Sequence, residues 1–433
     1  MNPLALELNQ LLDGSVAGRM LSDFGRRLYF PKGIVAQSAE AGARAHKFNA
    51  TVGMAVRNGE PMILPSLSAQ LPGLTPREAV AYAPTAGVPQ LRSLWLEAMK
   101  AKNPSLNAEA ISLPVVTPGL TAGVAQAADM FCDEGDTIIV PDMFWGNYRL
   151  IFEERRLSKI RSFQFFSDEG GFNLEAFRKV VTEEAAHGQL RILLNFPNNP
   201  TGYSPTVHEA QEITNILVEQ ADKGADVLVL CDDAYFGLFY EEDTYGESLF
   251  APLSQAHERI LAIKLDGSTK EDFVWGFRVG FLSFGSAGLT AHHYDALLKK
   301  LAGGLRSAIS NSSSVGQHLL IHLFTSPDYA SEKQGCFLDL KKRYLRIRDI
   351  FQETPPPPCL ETLPFNSGYF MSFRCRGIDA EQLRLSLLDE GIGTISIAGG
   401  YLRVAYSSVD LDQLLELYTA IFQAAEKLSA TGS

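Results

Sequence analysis

The sequence predicts an α/β protein, with a large domain on a mainly parallel central sheet covered by helices and a smaller α+β domain built from the N- and C-terminal parts. Three observations carry this. Short β-branched apolar runs at Thr137–Val140, Ile192–Asn195, Val227–Leu230, Ile260–Leu265 and Val279–Phe284 alternate with helical stretches. Such unbroken runs fit strands buried on both faces of a parallel sheet. At 433 residues the chain exceeds what a single core organises. Its C-terminal part then changes character, to short strand patterns and one amphipathic stripe.

Taken in order, residues 1–62 are expected to join the small domain, 63–330 to form the large one, and 331–433 to complete the small one. Met1 to Leu12 lacks a basic region followed by an apolar run, and no later stretch is long and uncharged enough to span a membrane. Thr117 to Gly123 precedes an alanine-rich helix. Gln352 to Cys359, with four consecutive prolines, reads as a stiff surface connection. Gly368–Phe373 and Tyr401–Tyr406 read as strands. Asp410 is expected to open a helix with Gln413 as its capping-box partner. Leu411, Leu414, Leu415, Tyr418, Ile421, Ala425 and Leu428 form its apolar stripe.

The net charge of −12 argues against nucleic-acid or anionic-membrane partners, so an anionic ligand must be held by a few placed arginines. Cys132, Cys231, Cys336, Cys359 and Cys375 form no C-x-x-C pair. They read as reduced thiols, which points to a cytoplasmic protein. His318 and His322 stand four apart on an expected helix without a third ligand, so no metal site is expected. His292 and His293 read as a solvated pair.

Asn199, Asp232 and Lys270 each follow an apolar run, where α/β folds place their ligand sites. Arg278 lies eight positions after Lys270. In that order the residues supply what pyridoxal 5'-phosphate requires: an amine for a Schiff base, a carboxylate for the ring nitrogen, donors for the ring oxygen and a cation for the phosphate. Lys270 is the expected Schiff-base lysine, and Arg278 is expected to fork onto phosphate. Either Asp232 or Asp233 can pair with the ring nitrogen. Tyr235 and Asn199 are expected to donate to the ring oxygen. Gly119, Leu120 and Thr121, at a helix start, are expected to bind phosphate. Trp145 offers a face on which the ring can stack. Arg403, between apolar neighbours, calls for an anion such as an α-carboxylate. Arg306 is a candidate for a second carboxylate clamp.

Together these residues resemble the class I, fold-type-I aminotransferases, from about Asn49 to Tyr406. The stretch from Pro141 to Tyr148 is most similar to the aspartate/aromatic branch. The resemblance selects Asp232 over Asp233, because it places Tyr235 in the family's register. It also implies that Gly53 contacts substrate and that Tyr82 reaches the phosphate of a neighbouring subunit. By the same likeness Arg403 takes the α-carboxylate and Arg306 a distal carboxylate across a homodimer with shared sites. Two departures stand out. A serine usual three positions before the lysine is replaced by Gly267, with Ser268 or Thr269 left to compensate, and Ile309, Ser312 and Ser313 are unusual beside such an arginine. The implied activity is ping-pong transfer of an amino group between an L-amino acid and a 2-oxo acid, with Lys270 as proton shuttle. A pyridoxal-phosphate lyase or decarboxylase on the same scaffold is the alternative.

Overall fold

The structure is a computed structural model that describes residues 1–3, 6, 7, 10, 34–51, 55–58, 60–62, 64–70 and 73–431. Among these, one sheet has seven strands: β1 (Val115–Thr117), β2 (Thr137–Pro141), β3 (Lys159–Phe163), β4 (Gln189–Asn195), β5 (Asp226–Asp232), β6 (Ile260–Asp266) and β7 (Gly280–Gly285). Their order is β1-β7-β6-β5-β4-β2-β3. Strands β2 to β6 run parallel. β7 runs antiparallel to both β1 and β6, which departs from the parallel strand expected at Val279–Phe284. The link from β6 to β7 carries only the single turns Ser268–Glu271 and Trp275–Phe277. It has no helix to carry the chain back along the sheet, so the strand returns in the opposite sense.

The apolar runs behave as doubly buried strands. In β5, Val227, Val229 and Cys231 enter one core, whereas Leu228 and Leu230 enter the other. The helices that matter here are α1 (Ile34–Arg44), α2 (Pro89–Lys102), α3 (Leu120–Phe131), α4 (Leu174–Ala185), α5 (Val207–Asp222), α6 (Ala291–Ala308), α7 (Ser314–Phe324), α8 (Tyr329–Glu353), α9 (Ala380–Asp389) and α10 (Leu414–Thr431). Val124 and Ala128 of α3 and Leu301 and Leu305 of α6 cover one face. Trp95 of α2, Phe177 of α4, Ile213 of α5 and Leu320 of α7 cover the other. Because side chains alternate along a strand, Asp232 at the end of β5 falls on the α3 face and Asp233 on the α2 face.

A second, antiparallel sheet comprises β8 (Leu360–Thr362), β9 (Met371–Cys375), β10 (Ile395–Ile397) and β11 (Tyr401–Val404), in the order β8-β9-β11-β10. The N-terminal part packs beside it: Phe48 and Asn49 pair in parallel with Ile392 and Gly393 as a separate two-stranded sheet, and Gln37 of α1 bonds to Ser396 of β10. The long helix α8 leads from the large sheet into this unit, where the Arg343 guanidinium donates to the carbonyls of Ser407 and Val56.

The C-terminal helix starts later than expected. Leu411–Gln413 is a 3-10 turn, and α10 begins at Leu414. The Asp410 carboxylate is committed elsewhere, accepting the Asn58 backbone N–H at 3.0 Å and pairing with Arg343 at 3.3 Å, so the capping box does not form. Leu414, Tyr418, Ile421 and Ala425 are buried, while Leu411 and Leu415 face solvent. No helix among the described residues is long and apolar enough to cross a membrane.

Candidate active site

A cavity of about 110 Å³ opens at the C-terminal ends of the parallel strands, lined by residues that include Thr121, Trp145, Asn199, Asp232, Tyr235, Lys270 and Arg278. These positions meet there because they come from strand ends, from the turns that follow strands and from the start of a helix packed on the sheet.

Asp232 closes β5 and is 2% exposed. The Tyr148 hydroxyl donates to its Oδ2, and Oδ1 accepts the Ala234 N–H at 3.1 Å and Asn195 Nδ2 at 3.3 Å. Burial raises the carboxyl to about 6, against the hydrogen bonds from Tyr148 and Ala234. Asp233 takes no part. It points through the sheet to Lys264 and Ser248, so of the two adjacent aspartates only Asp232 reaches the cavity.

Lys270 lies in the turn Ser268–Glu271 after β6. Its Nζ stands 5.0 Å from the Tyr235 ring centroid. Burial lowers its ammonium to about 8; Asp232 opposes this and Arg278 adds to it. An amine so placed keeps a free-base fraction near neutrality. Tyr235 packs edge-on against Tyr369 and Phe370 at 5.3 and 5.4 Å, and the Tyr369 hydroxyl donates to the Lys270 carbonyl at 2.8 Å.

The other end of the cavity is built for an anion. Gly119 precedes α3 with φ at +85°, and a Cβ there would come within 2.3 Å of Arg278 Nη2. The guanidinium therefore lies across the open N–H groups of a helix start, a combination suited to phosphate. Among the described residues Arg278 has no carboxylate partner; it donates only to the Trp275 carbonyl, at 3.1 Å. Ser268 Oγ and Thr269 Oγ1 are buried and have no partner among the described residues. Gly267 cannot be replaced cheaply by the expected serine, since a Cβ would stand 2.9 Å from the Val279 carbonyl oxygen. Unspent donors, a buried carboxylate and a desolvated amine in one cleft fit pyridoxal phosphate: Ser268, Thr269, Arg278 and the α3 N-terminus for its phosphate, Asp232 for its ring nitrogen and Lys270 for its aldehyde carbon.

Arg403, on β11, is 2% exposed. Nη1 donates to Asn199 Oδ1 at 2.9 Å, Nη2 donates to the Thr51 carbonyl at 2.8 Å, and Nε has no partner among the described residues. Its guanidinium lies 4.3 Å from the Phe370 ring centroid. Burial lowers it to about 10, offset in part by Tyr235.

Two expected residues stand apart. Tyr82 is 90% exposed outside the cavity. Arg306 is exposed at the end of α6, bonded to Ser310 Oγ at 2.5 Å. Gly53 lies outside the described residues. The sequence reading had no roles for Tyr148 and Asn195. The spacing Trp145-x-x-Tyr148 was the available signal, since a tyrosine one turn after a ring-stacking residue reaches the same site. His318 bonds to Ser314, and His322 to Glu78 at 3.0 Å.

A mainly parallel sheet that offers a lysine, an aspartate and an arginine at the ends of its strands defines the fold-type-I class of α/β enzymes. Within it, the family described as aminotransferase class I and II matches residues 63–421, and the chain belongs to that family of pyridoxal-phosphate-dependent aminotransferases. The aspartate/prephenate aminotransferase of Thermus thermophilus is 24% identical over 360 residues, covering 79% of this chain and 84% of that protein. In fold, an aminotransferase from Anaerococcus prevotii superposes with a TM-score of 0.83 at 24% identity, over 94% of this chain and 99% of the other. The kynurenine aminotransferase of Pyrococcus horikoshii gives 0.79 at 16% identity, over 96% and 99% respectively.

Proposed function

We propose that this aminotransferase moves an amino group between an L-amino acid and a 2-oxo acid in two half-reactions, with Lys270 as both coenzyme anchor and proton carrier. The observation behind this is the Lys270 amine, lowered to about 8 by burial, in one cavity with Asp232 and Arg278. Pyridoxal phosphate, when bound, supplies the aldehyde that captures the amino group and a ring that draws electron density from Cα. Asp232 holds the ring nitrogen with its carboxylate, kept in place by Tyr148, Asn195 and Ala234. Tyr235 and Asn199, which line the same cavity, are the donors we assign to the ring oxygen. Arg403 takes the substrate α-carboxylate with its unspent Nε and fixes which Cα bond faces Lys270. Nζ of Lys270, once free, takes the Cα proton and returns it. Phe370 and Tyr369 keep water from this side.

We also read the chain as a cytoplasmic homodimer with 1–62 and 331–433 as the small domain. The 90% exposure of Tyr82 supports its role in a neighbouring subunit's site, and Gly53 and Arg306 are read as substrate contacts in that assembly. Lys270→Ala should lose turnover by at least about a thousandfold while still binding the coenzyme non-covalently. Product analysis separates the reaction types: a 2-oxo acid with a new amino acid means transfer, whereas ammonia, thiol or carbon dioxide means lysis. Near-parental turnover in the alanine variant ends the assignment of Lys270.

A further inference from the structure

We propose that Glu271 and Asp272, gripped by Lys102, Lys333 and Tyr329, are positioning residues that hold Lys270 and Arg278 aimed into the coenzyme cavity. This rests on Lys270 being the coenzyme anchor, and adds a buried ionic clamp behind it that joins the anchor's turn to two helices.

The clamp lies on the side of the sheet away from the cavity. Glu271 accepts Lys102 Nζ, at the end of α2, at 2.6 Å and faces Lys333 Nζ of α8 at 3.5 Å. Asp272 is fully buried. Its Oδ1 accepts Lys333 Nζ at 2.9 Å and the Tyr329 hydroxyl at 2.7 Å. Beyond them Lys264 pairs with Asp233 and lies 3.4 Å from Asp266, whose Oδ1 accepts the Trp95 indole N–H at 3.0 Å. Four carboxylates thus face three ammonium groups. A Cβ on Gly237, in the loop that carries Tyr235, would stand 3.1 Å from Glu271 Oε2, so the clamp also abuts that loop.

No step of the transfer reaction needs these charges, and burying them is costly unless each is paired. What they hold is a backbone that would otherwise relax. Phe273, buried directly after Asp272, has φ of +59°, and Arg278 has φ of +54°. Bulky non-glycine residues adopt that region only where their surroundings over-determine it. The two strained residues bracket the turn between Lys270 and Arg278, the covalent anchor and the phosphate ligand. Without the clamp the turn is free to relax, and both side chains lose their shared aim. A displacement of about 1 Å is enough to matter at such a site. Because Tyr329 and Lys333 open α8, the same clamp ties the anchor to the helix that carries the second sheet.

The test uses the full chain. Borohydride reduction and peptide mapping of the parent protein with pyridoxal phosphate come first; absence of an adduct at Lys270 removes the underlying reading, whatever the clamp does. With the adduct present, Asp272→Asn, Lys333→Met, Lys333→Arg, Tyr329→Phe and the double variant Asp272→Asn/Lys333→Met are compared. Three quantities are read: the coenzyme dissociation constant, the pH midpoint of the bound-coenzyme absorbance, and the thermal midpoint of the coenzyme-free protein. Asp272→Asn and Lys333→Met should weaken coenzyme binding about tenfold and move the absorbance midpoint by about half a unit or more. The coenzyme-free thermal midpoint should fall in these single variants and recover in the double variant, whose coenzyme binding stays weakened, and Lys333→Arg should recover most of the binding. If Asp272→Asn, which leaves Glu271 at 3.5 Å as the carboxylate that faces Lys333, fails to fold, the double variant replaces it. Tyr329→Phe, which deletes one hydroxyl, should show a smaller loss of about threefold. Parental affinity and an unmoved midpoint in the folded variants would overturn the clamp.

Discussion

Asp232 and Lys270 each carry a cost in the coenzyme-free protein, and the two costs have opposite pH signatures. Burial raises the Asp232 carboxyl to about 6, above the value of about 3.9 expected in the unfolded chain. Between about pH 4 and 6 the folded state therefore binds the extra proton. The group destabilises the fold in full above pH 6, and the penalty is relieved as the pH falls towards 4. Asp232→Asn, without coenzyme, should gain up to about 2 kcal/mol at pH 8 and nothing near pH 4, while binding coenzyme more weakly. Urea unfolding at the two pH values measures this, and an equal gain at both would contradict it. Lys270 runs the other way. Its ammonium is lowered to about 8 by burial, so its cost is full below pH 8 and fades towards the unfolded value of about 10.4. Acylation of Lys270 in the coenzyme-free protein, followed by peptide mapping, should show a midpoint near 8. Removing the Asp232 charge should lower it further. A midpoint near 10 would mean that the amine is solvated.

At the scale of elements, the strand-to-turn junction after β6 separates what was legible in the sequence from what was not. That Asn199, Asp232 and Lys270 meet at one cavity was legible because each follows an apolar run and strand ends in α/β folds converge, and Arg278 was legible from its spacing after Lys270. The choice between Asp232 and Asp233 follows from alternation along β5. The reversed direction of β7 was not legible, because an apolar run carries no sign of strand sense. Nor was the clamp around Glu271, whose partners Lys102 and Lys333 are exposed-looking helix residues until α2 and α8 pack against the turn. The Gly267 departure is the most instructive. As sequence it looks like a lost phosphate ligand, whereas in the fold three backbones meet there. A Cβ on Gly267 would reach the Val279 carbonyl at 2.9 Å, and one on Gly280 would reach Leu120 N at 2.7 Å. That end of the cavity is thus made of backbone packed too closely for a side chain, beside the buried hydroxyls of Ser268 and Thr269, which are unpartnered among the described residues. Gly267→Ser should lower stability by about 1–3 kcal/mol and weaken coenzyme binding. Tighter binding in that variant would restore the serine to the role the resemblance gives it.

Across the whole molecule, Arg403 is a buried cation that touches three distant parts of the chain. It sits on β11 of the second sheet, donates to Asn199 behind β4 and to the carbonyl of Thr51, and stacks on Phe370. Yet it has no carboxylate partner among the described residues, and burial lowers it to about 10. A guanidinium held dry by neutral acceptors is incompletely compensated. On the role proposed for Arg403, a substrate carboxylate would complete the pairing and at the same time tie the second sheet to the large one, so that binding energy would be converted into closure over the site. A carboxylate ligand at a hundred times its dissociation constant should stabilise the coenzyme-loaded protein by about 2.7 kcal/mol, seen as a rise in thermal midpoint against a chloride control of equal ionic strength. Arg403→Met should fold and lose this rise. Arg403→Lys keeps the charge but not the planar fork, so it should recover only part of the rise and lose at least about tenfold in kcat/KM. An undiminished carboxylate response in Arg403→Met would place the α-carboxylate elsewhere and leave the buried arginine as a purely structural link between the two sheets.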